Sequence, residues 1–163
     1  MTDRRTLLAA LAAGPLLAPA VARAADACTG ANDAALAALL DRYVAAANAH
    51  DTSSFPTIFD ENYMQRSGRS PNGLAAQTAN AQRLFTALPD LHLAIEDRIF
   101  AGDRIVARCT YTGTQKGTFL GIAPTGKAIS FGTIDIWRVA GGRLAEHWDQ
   151  VDFAGIRKQL TGA

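Results

Sequence analysis

The side chains able to do chemistry gather near the end of the chain. Between Ile134 and Asp152 stand Asp135, Glu146, Asp149 and Asp152, together with His147 and both tryptophans, Trp137 and Trp148. A carboxylate facing a core loses hydration and gains little packing. A strand pair that collects four of them therefore reads as one wall of a pocket, and the chemistry that suits it is proton transfer. Ile129, Phe131, Thr133, Asp135, Trp137 and Val139 share one parity, so Asp135 is the lone charge in a largely apolar row. An apolar wall disfavours the charged form of an acid, the condition a general acid or base needs near neutrality. The alternative is a structural ion pair with Arg104 or Arg108. On the return run Leu144, Glu146, Trp148, Gln150 and Asp152 share one parity, and Ala145, His147, Asp149 and Val151 the other. Neither set is uniformly apolar, as expected of a strand with a pocket on one side and a second subunit on the other. Asp149 has no structural duty visible in its neighbours. Asp152 precedes a helical segment and is equally a candidate N-cap. His147 orients an acid or sits at an interface, His92 is placed to enter the same cavity, and His50 reads as a loop residue. Three scattered histidines are a weak metal signal. Gly68-Arg69-Ser70 is not a nucleophile elbow, and no phosphate-binding or dinucleotide glycine pattern occurs.

These residues need a hairpin to carry them. Two β-prone runs, residues 127–139 and 143–151, flank Ala140-Gly141-Gly142, with glycines for the positive-φ turn positions. Upstream, Leu36, Leu39, Leu40, Tyr43, Val44 and Ala47 recur at helical spacing, with Asn32 or Asp33 as cap and an end near Ala49. A short helical turn is expected from Phe55 to Phe59 and a short strand over 62–66. Ser67 to Gly73 is a loop by composition. A second long helix is expected from Leu74 to Leu88, broken by Pro89-Asp90. The period then changes to two. Leu91, Leu93, Ile95 and Ile99 alternate with His92, Glu96 and Arg98, and residues 104–114 form the next strand. The connection from Lys116 to Gly126 carries enough apolar residues to pack down. Residues 153–160 form a closing helical turn. Helices first and an antiparallel sheet afterwards make an α+β domain.

At 163 residues, 48% apolar and 19% charged, the chain suits one domain with a true core. Residues 1–27 read as an export signal and its tail. Arg4-Arg5 gives a twin-arginine start, Leu7 to Val21 an Ala/Leu-rich run too short to span a bilayer, and Ala22-Arg23-Ala24 a cleavage site. The expected location is periplasmic or extracellular, with no stable membrane insertion once the signal is cut. Cleavage after Ala24 leaves 13 basic against 14 acidic residues. Such a chain has no long-range field for polyphosphate, so nucleic acid is not an expected partner. Export permits a Cys28–Cys109 disulfide without implying one.

Leu88-Pro89-Asp90-Leu91-His92, Ala101 to Arg108, Tyr111-Thr112-Gly113-Thr114, Gly121 to Lys127, Ile134 to Arg138, and Glu146-His147-Trp148-Asp149 with Asp152 resemble the SnoaL-like polyketide (ester) cyclase family. That family belongs to the nuclear transport factor 2-like superfamily, which includes ketosteroid isomerase. The resemblance spans about residues 35–160 and implies one domain over 28–163. The implied fold is a cone-shaped α+β barrel, N-terminal helices packed on a strongly curved, mainly antiparallel sheet enclosing a pocket. It also implies a homodimer, no metal and no organic cofactor. The implied reaction is intramolecular aldol cyclisation of a small apolar carbonyl compound, or related isomerase or lyase chemistry, with an aspartate taking the proton. Carried onto this chain, the base is Asp149, with Asp152 second. His147 and Asp135 support it, and Trp137, Trp148, Tyr43 and His92 line the pocket. The competing reading is a binding or dimerisation module that keeps the cone without catalysis.

Overall fold

The computed structural model describes residues 29–162, with side chains from Asn32 onward. The leader expected over 1–27 and the cysteine at position 28 lie outside the described residues. In chain order the elements are α1 (Thr29–Asn48), α2 (Phe55–Ile58), β1 (Phe59–Gln65), α3 (Leu74–Ala87), β2 (His92–Ala101), β3 (Arg104–Thr114), β4 (Ala128–Ala140), β5 (Arg143–Val151) and α4 (Phe153–Thr161). The five strands form one open sheet in the order β1-β5-β4-β3-β2. β1 runs parallel to β5 and the other pairings are antiparallel. Helices cover its inner face, giving the α+β architecture that the spacing predicts and the cone shape that the resemblance implies. Among the described residues no helix is long and apolar enough to cross a membrane.

Helix α1 buries the stripe read from its spacing, Leu36, Leu39, Leu40 and Ala47, against β2 and β3. Its start is earlier than expected, so Asn32 is not a cap; its amide reaches the Gly102 carbonyl instead. At the other end the Asn48 side chain clamps Leu93, accepting from its N–H at 2.7 Å and donating to its carbonyl at 3.0 Å. Helix and strand are thus locked in register by one amide.

Two bulges alter the parities. In β2 the pairing shifts between Ile95 and Asp97, so Glu96 is the extra residue. Beyond it Arg98 and Phe100 take the inner parity and Ile99 the outer, where it is 63% exposed. Simple alternation had placed Ile99 inward. In β5 the shift lies between the partners of Arg138 and Val139, with Ala145 as the extra residue. Leu144 opposite Val139 and His147 opposite Trp137 consequently face the same side. That is why neither parity of β5 read as apolar: the inner set changes parity halfway along. The turn itself is as expected, with Gly141 and Gly142 at φ 56° and 72°.

The connection from β3 to β4 packs down around a residue that its apolar content did not indicate. Gln115 is fully buried. Its Nε2 donates to the carbonyls of Gly117, Ile122 and Ala123 at 3.0–3.1 Å, and its Oε1 accepts from Thr125 N at 2.9 Å and Oγ1 at 2.6 Å. One amide side chain satisfies a loop that could not be buried on apolar contacts alone.

Candidate active site

Between the helices and the inner face of the sheet lies a cavity of about 390 Å³, inside the range of about 300–1,000 Å³ usual for small-molecule sites. Its walls are largely aromatic, with Tyr43, Phe55, Phe85, Tyr111, Phe119 and Phe131 contributing. Tyr111 and Phe131 face each other across β3 and β4, their rings parallel at 5.2 Å. One polar set lies where β4 and β5 meet β1, made of Thr133 and Asp135, His147 and Asp149, Gln65, Ser67 and Arg69; Gln77, Asn80 and Arg83 of α3 make a second.

Register explains the first set. Asp135 pairs with Asp149 and Thr133 with Val151, while Gln65 on β1 pairs with His147. The Asp135 side chain is 4% exposed, and both its oxygens are engaged. Oδ2 accepts from the Thr133 hydroxyl, and Oδ1 lies 2.9 Å from His147 Nε2. His147 Nδ1 lies 3.0 Å from the Gln65 amide nitrogen, so the ring is held from both ends, Nε2–H toward Asp135 and Nδ1 accepting. Trp137 stacks flat beneath that ring at 4.9 Å and 5°. Arg104 and Arg108, the alternative partners for Asp135, are occupied elsewhere. Arg108 pairs with Asp97 at 2.6 Å, and Arg104 lies over the Trp148 ring with its Nε 3.3 Å from Asp103.

Asp149 is placed differently. Its side chain is 10% exposed. Oδ2 pairs with the Arg69 guanidinium, which also lies 4.9 Å above the Phe153 ring. Oδ1 is buried and has no hydrogen-bond partner among the described residues, and the Ser67 hydroxyl is in the same condition. A buried carboxylate oxygen without a partner is the feature of this site that most needs explaining.

The phenols and the thiol around the cavity are held in their neutral forms. Burial, then the Asp135 charge, raises the Tyr43 phenol far above its usual range. Tyr111 and Tyr63 are raised by burial first and by the neighbouring Tyr43 next. Burial and Asp135 push the Cys109 thiol up to about 12, which leaves no thiolate for nucleophilic work. Among the described residues no group of three histidine, cysteine, aspartate or glutamate side chains converges as a metal ion requires.

The structure therefore brings Asp135, His147, Asp149 and Tyr43 to one cavity and leaves the other named residues outside it. Asp152 is the N-cap of α4, its Oδ1 accepting from Gly155 N at 2.8 Å, so the capping alternative holds and the second candidate base is exposed. His92 begins β2 on the exposed parity, opposite the exposed Thr112, and does not enter the cavity. Trp148 is on the outer face of the sheet, and Trp137 supports His147 from behind rather than lining the hollow. His50, read as a loop residue, lies in a turn, its Nε2 2.9 Å from the Leu91 carbonyl oxygen and its ring on Phe85. Thr133 was legible in the Asp135 row but carried no charge to single it out. Gln65, Ser67 and Arg69 had no local signal; only the parallel β1–β5 pairing brings them in.

Comparison with known proteins agrees with this fold. Over 130 residues the chain is 28% identical to aklanonic acid methyl ester cyclase AcmA of Streptomyces galilaeus, covering 76% of this chain and 88% of that protein. The structure of TsrD from Streptomyces laurentii superposes with a TM-score of 0.76 at 32% identity, covering 80% of this chain and 97% of that one. A SnoaL-like polyketide cyclase from Agrobacterium tumefaciens shares the fold at a TM-score of 0.69 and 23% identity, covering 77% and 97%. Residues 37–160, the hairpin and its cavity included, match the family described as SnoaL-like polyketide cyclase, and the chain belongs to that family.

Proposed function

We propose that the protein is a cyclase-like enzyme that removes a proton from carbon next to a carbonyl, with Asp149 as the base, and closes a ring by intramolecular aldol addition. The observation that carries the reading is the unpartnered, buried Oδ1 of Asp149, in a side chain that lines the cavity. In the proposed step the C–H electron pair becomes the enolate and the proton passes to Asp149. The enolate carbon then attacks a second carbonyl of the same molecule. The resulting alkoxide takes the proton back, so nothing is consumed. Both Asp135 oxygens, the Thr133 proton and both His147 nitrogens are engaged with one another or with Gln65, and we assign these side chains to fixing the wall beside the base. The substrate class is a small apolar carbonyl compound, in keeping with the aromatic walls and with a relative named for a methyl ester. Work outside the cytoplasm, implied by the twin-arginine start, is part of the same proposal, and fractionation of cells making the full chain tests it.

The Arg69–Asp149 pair favours a second reading, a pocket that holds a carbonyl ligand without turning it over. One experiment separates the two. Turnover and binding of a panel of β-diketones are followed against pH in wild type and Asp149→Asn. Loss of a general base costs about 10²–10⁴-fold in rate, with binding retained. Binding without turnover in the wild type selects the second reading, and equal turnover in both proteins removes Asp149 as the base.

A further inference from the structure

We propose that Ser67 and Arg69 form an oxyanion site for the carbonyl whose α-proton Asp149 removes, an assignment that rests on Asp149 being the base. It comes from asking which buried polar side-chain atoms of the cavity wall lack a partner. His147 is held at both nitrogens. The Thr133 hydroxyl is spent on Asp135. The Tyr43 and Tyr111 hydroxyls are not among the buried polar atoms left without a partner.

Ser67 is different. Strand β1 ends at Gln65, yet Arg66 N still donates to the His147 carbonyl at 2.8 Å. Ser67 follows in the turn after β1 and lines the same cavity as Asp149. A buried hydroxyl in the turn after β1 and a buried carboxylate oxygen on β5, both without partners, thus belong to one cavity wall. A ligand that accepts from one and yields a proton to the other fits them, and a carbonyl with an α-hydrogen is such a ligand.

Arg69 adds the charge. Its guanidinium carries five N–H donors, and the described structure commits only one nitrogen, to Asp149. During enolisation the negative charge leaves Asp149 as it arrives on the substrate oxygen. A guanidinium lying between the two stays paired throughout: Asp149 is its counter-ion before the step and the enolate oxygen after it. Gly68, at φ 70°, joins the two donors by a turn that other residues rarely adopt. The consequence for substrate choice is direct. With the protein holding the enolate, the substrate needs no extended conjugation of its own, and simple β-diketones qualify.

The test uses 2-acetylcyclopentanone and follows deuterium uptake at its α-carbon by NMR. Removing one such donor lowers kcat about 100-fold, at the mild end of oxyanion-hole losses. Ser67→Ala and Arg69→Gln are expected to show that loss with KM nearly unchanged. A second arm needs no catalysis. In the Asp149→Asn protein, where the competing carboxylate is gone, 4-nitrophenolate binding is measured with and without Ser67→Ala, with neutral 4-nitroanisole as control. We expect Ser67→Ala to weaken the anion at least 5-fold, about 1 kcal/mol, and the ether not at all. Wild-type exchange in Ser67→Ala together with unchanged nitrophenolate binding overturns the oxyanion site and leaves Asp149 as base untouched. Normal exchange in Asp149→Asn removes the base, and the assignment resting on it falls as well. Lower stability in Ser67→Ala with full turnover also overturns it, since the hydroxyl then serves only the fold.

Discussion

At the scale of single residues, the Asp135 carboxylate shows what a buried charge requires. It is 3% exposed and satisfied by Thr133 and His147. Asp135→Ala strands both partners in a dry wall, and the expected destabilisation is about 2–4 kcal/mol. A urea double-mutant cycle with His147→Ala is expected to return a coupling of about 1–2 kcal/mol; additive effects would mean the contact carries no energy of its own. The phenols give a pH prediction. All three tyrosines, Tyr43, Tyr63 and Tyr111, are raised, by burial before any other cause. A group whose folded value is raised lends stability that is complete below its unfolded value, about 10 for tyrosine, and is lost as pH climbs past it. Absorbance near 295 nm should therefore show no tyrosinate in the folded protein at pH 10.5. Its appearance should coincide with loss of the near-ultraviolet circular dichroism. Tyrosinate forming in an intact fold would show the phenols to be reachable by water.

At the scale of elements, turns and bulges decide where those residues point. Asp90 follows the break after α3 and ties the end of β3, accepting from Thr114 N at 2.6 Å and from its hydroxyl at 2.7 Å. Those two bonds lower its carboxyl below the ordinary 3.8, the backbone one foremost. A lowered folded value lends stability that is full above the unfolded value and lost as pH falls through the folded one. Asp90→Asn is expected to flatten the acid limb of a stability-against-pH curve below about pH 4 and leave the neutral limb nearly parallel to wild type; an unchanged acid limb would count against the tie. Much of the architecture was legible because it rests on local period. The hairpin, its glycine turn, the bounds of β3 and β5 and the stripe on α1 all follow from residue spacing. What was not legible depends on register. The bulges at Glu96 and Ala145 each add one residue without a composition change and reverse every parity beyond them, which misplaced Ile99 and left β5 unreadable. The parallel β1–β5 pairing joins residues about eighty positions apart, so Gln65, Ser67 and Arg69 could not be tied to Asp149 from spacing. Asp149 itself was legible, because an acid inside a β-prone run has few structural excuses.

At the scale of the whole molecule, the sheet has a second face that the helices do not cover. Register aligns Ile99 with Val106, Val106 with Ile136, and Ile136 with Trp148, one apolar row across β2, β3, β4 and β5. Ile134 lies one step along the same face of β4. Ile99 is 63% and Ile134 44% exposed, and they are the large apolar side chains most open to water among the described residues. A row this continuous is more than the scattered exposed apolar residues of an ordinary surface. We propose that a second copy of the chain covers it in an isologous dimer, leaving each cavity on the opposite side of its sheet. The mixed polarity of β5 has the same origin, since His147 and Asp149 serve the cavity while Trp148 serves the outer row. Sedimentation equilibrium should give twice the chain mass for the wild type. Ile99→Asp with Ile134→Asp should give a monomer that still binds a neutral aromatic ligand, because neither side chain lines the cavity. A wild type that sediments as a monomer at tens of micromolar would remove the dimer. A double variant that loses ligand binding while staying folded would instead show that the two faces of the sheet are not independent.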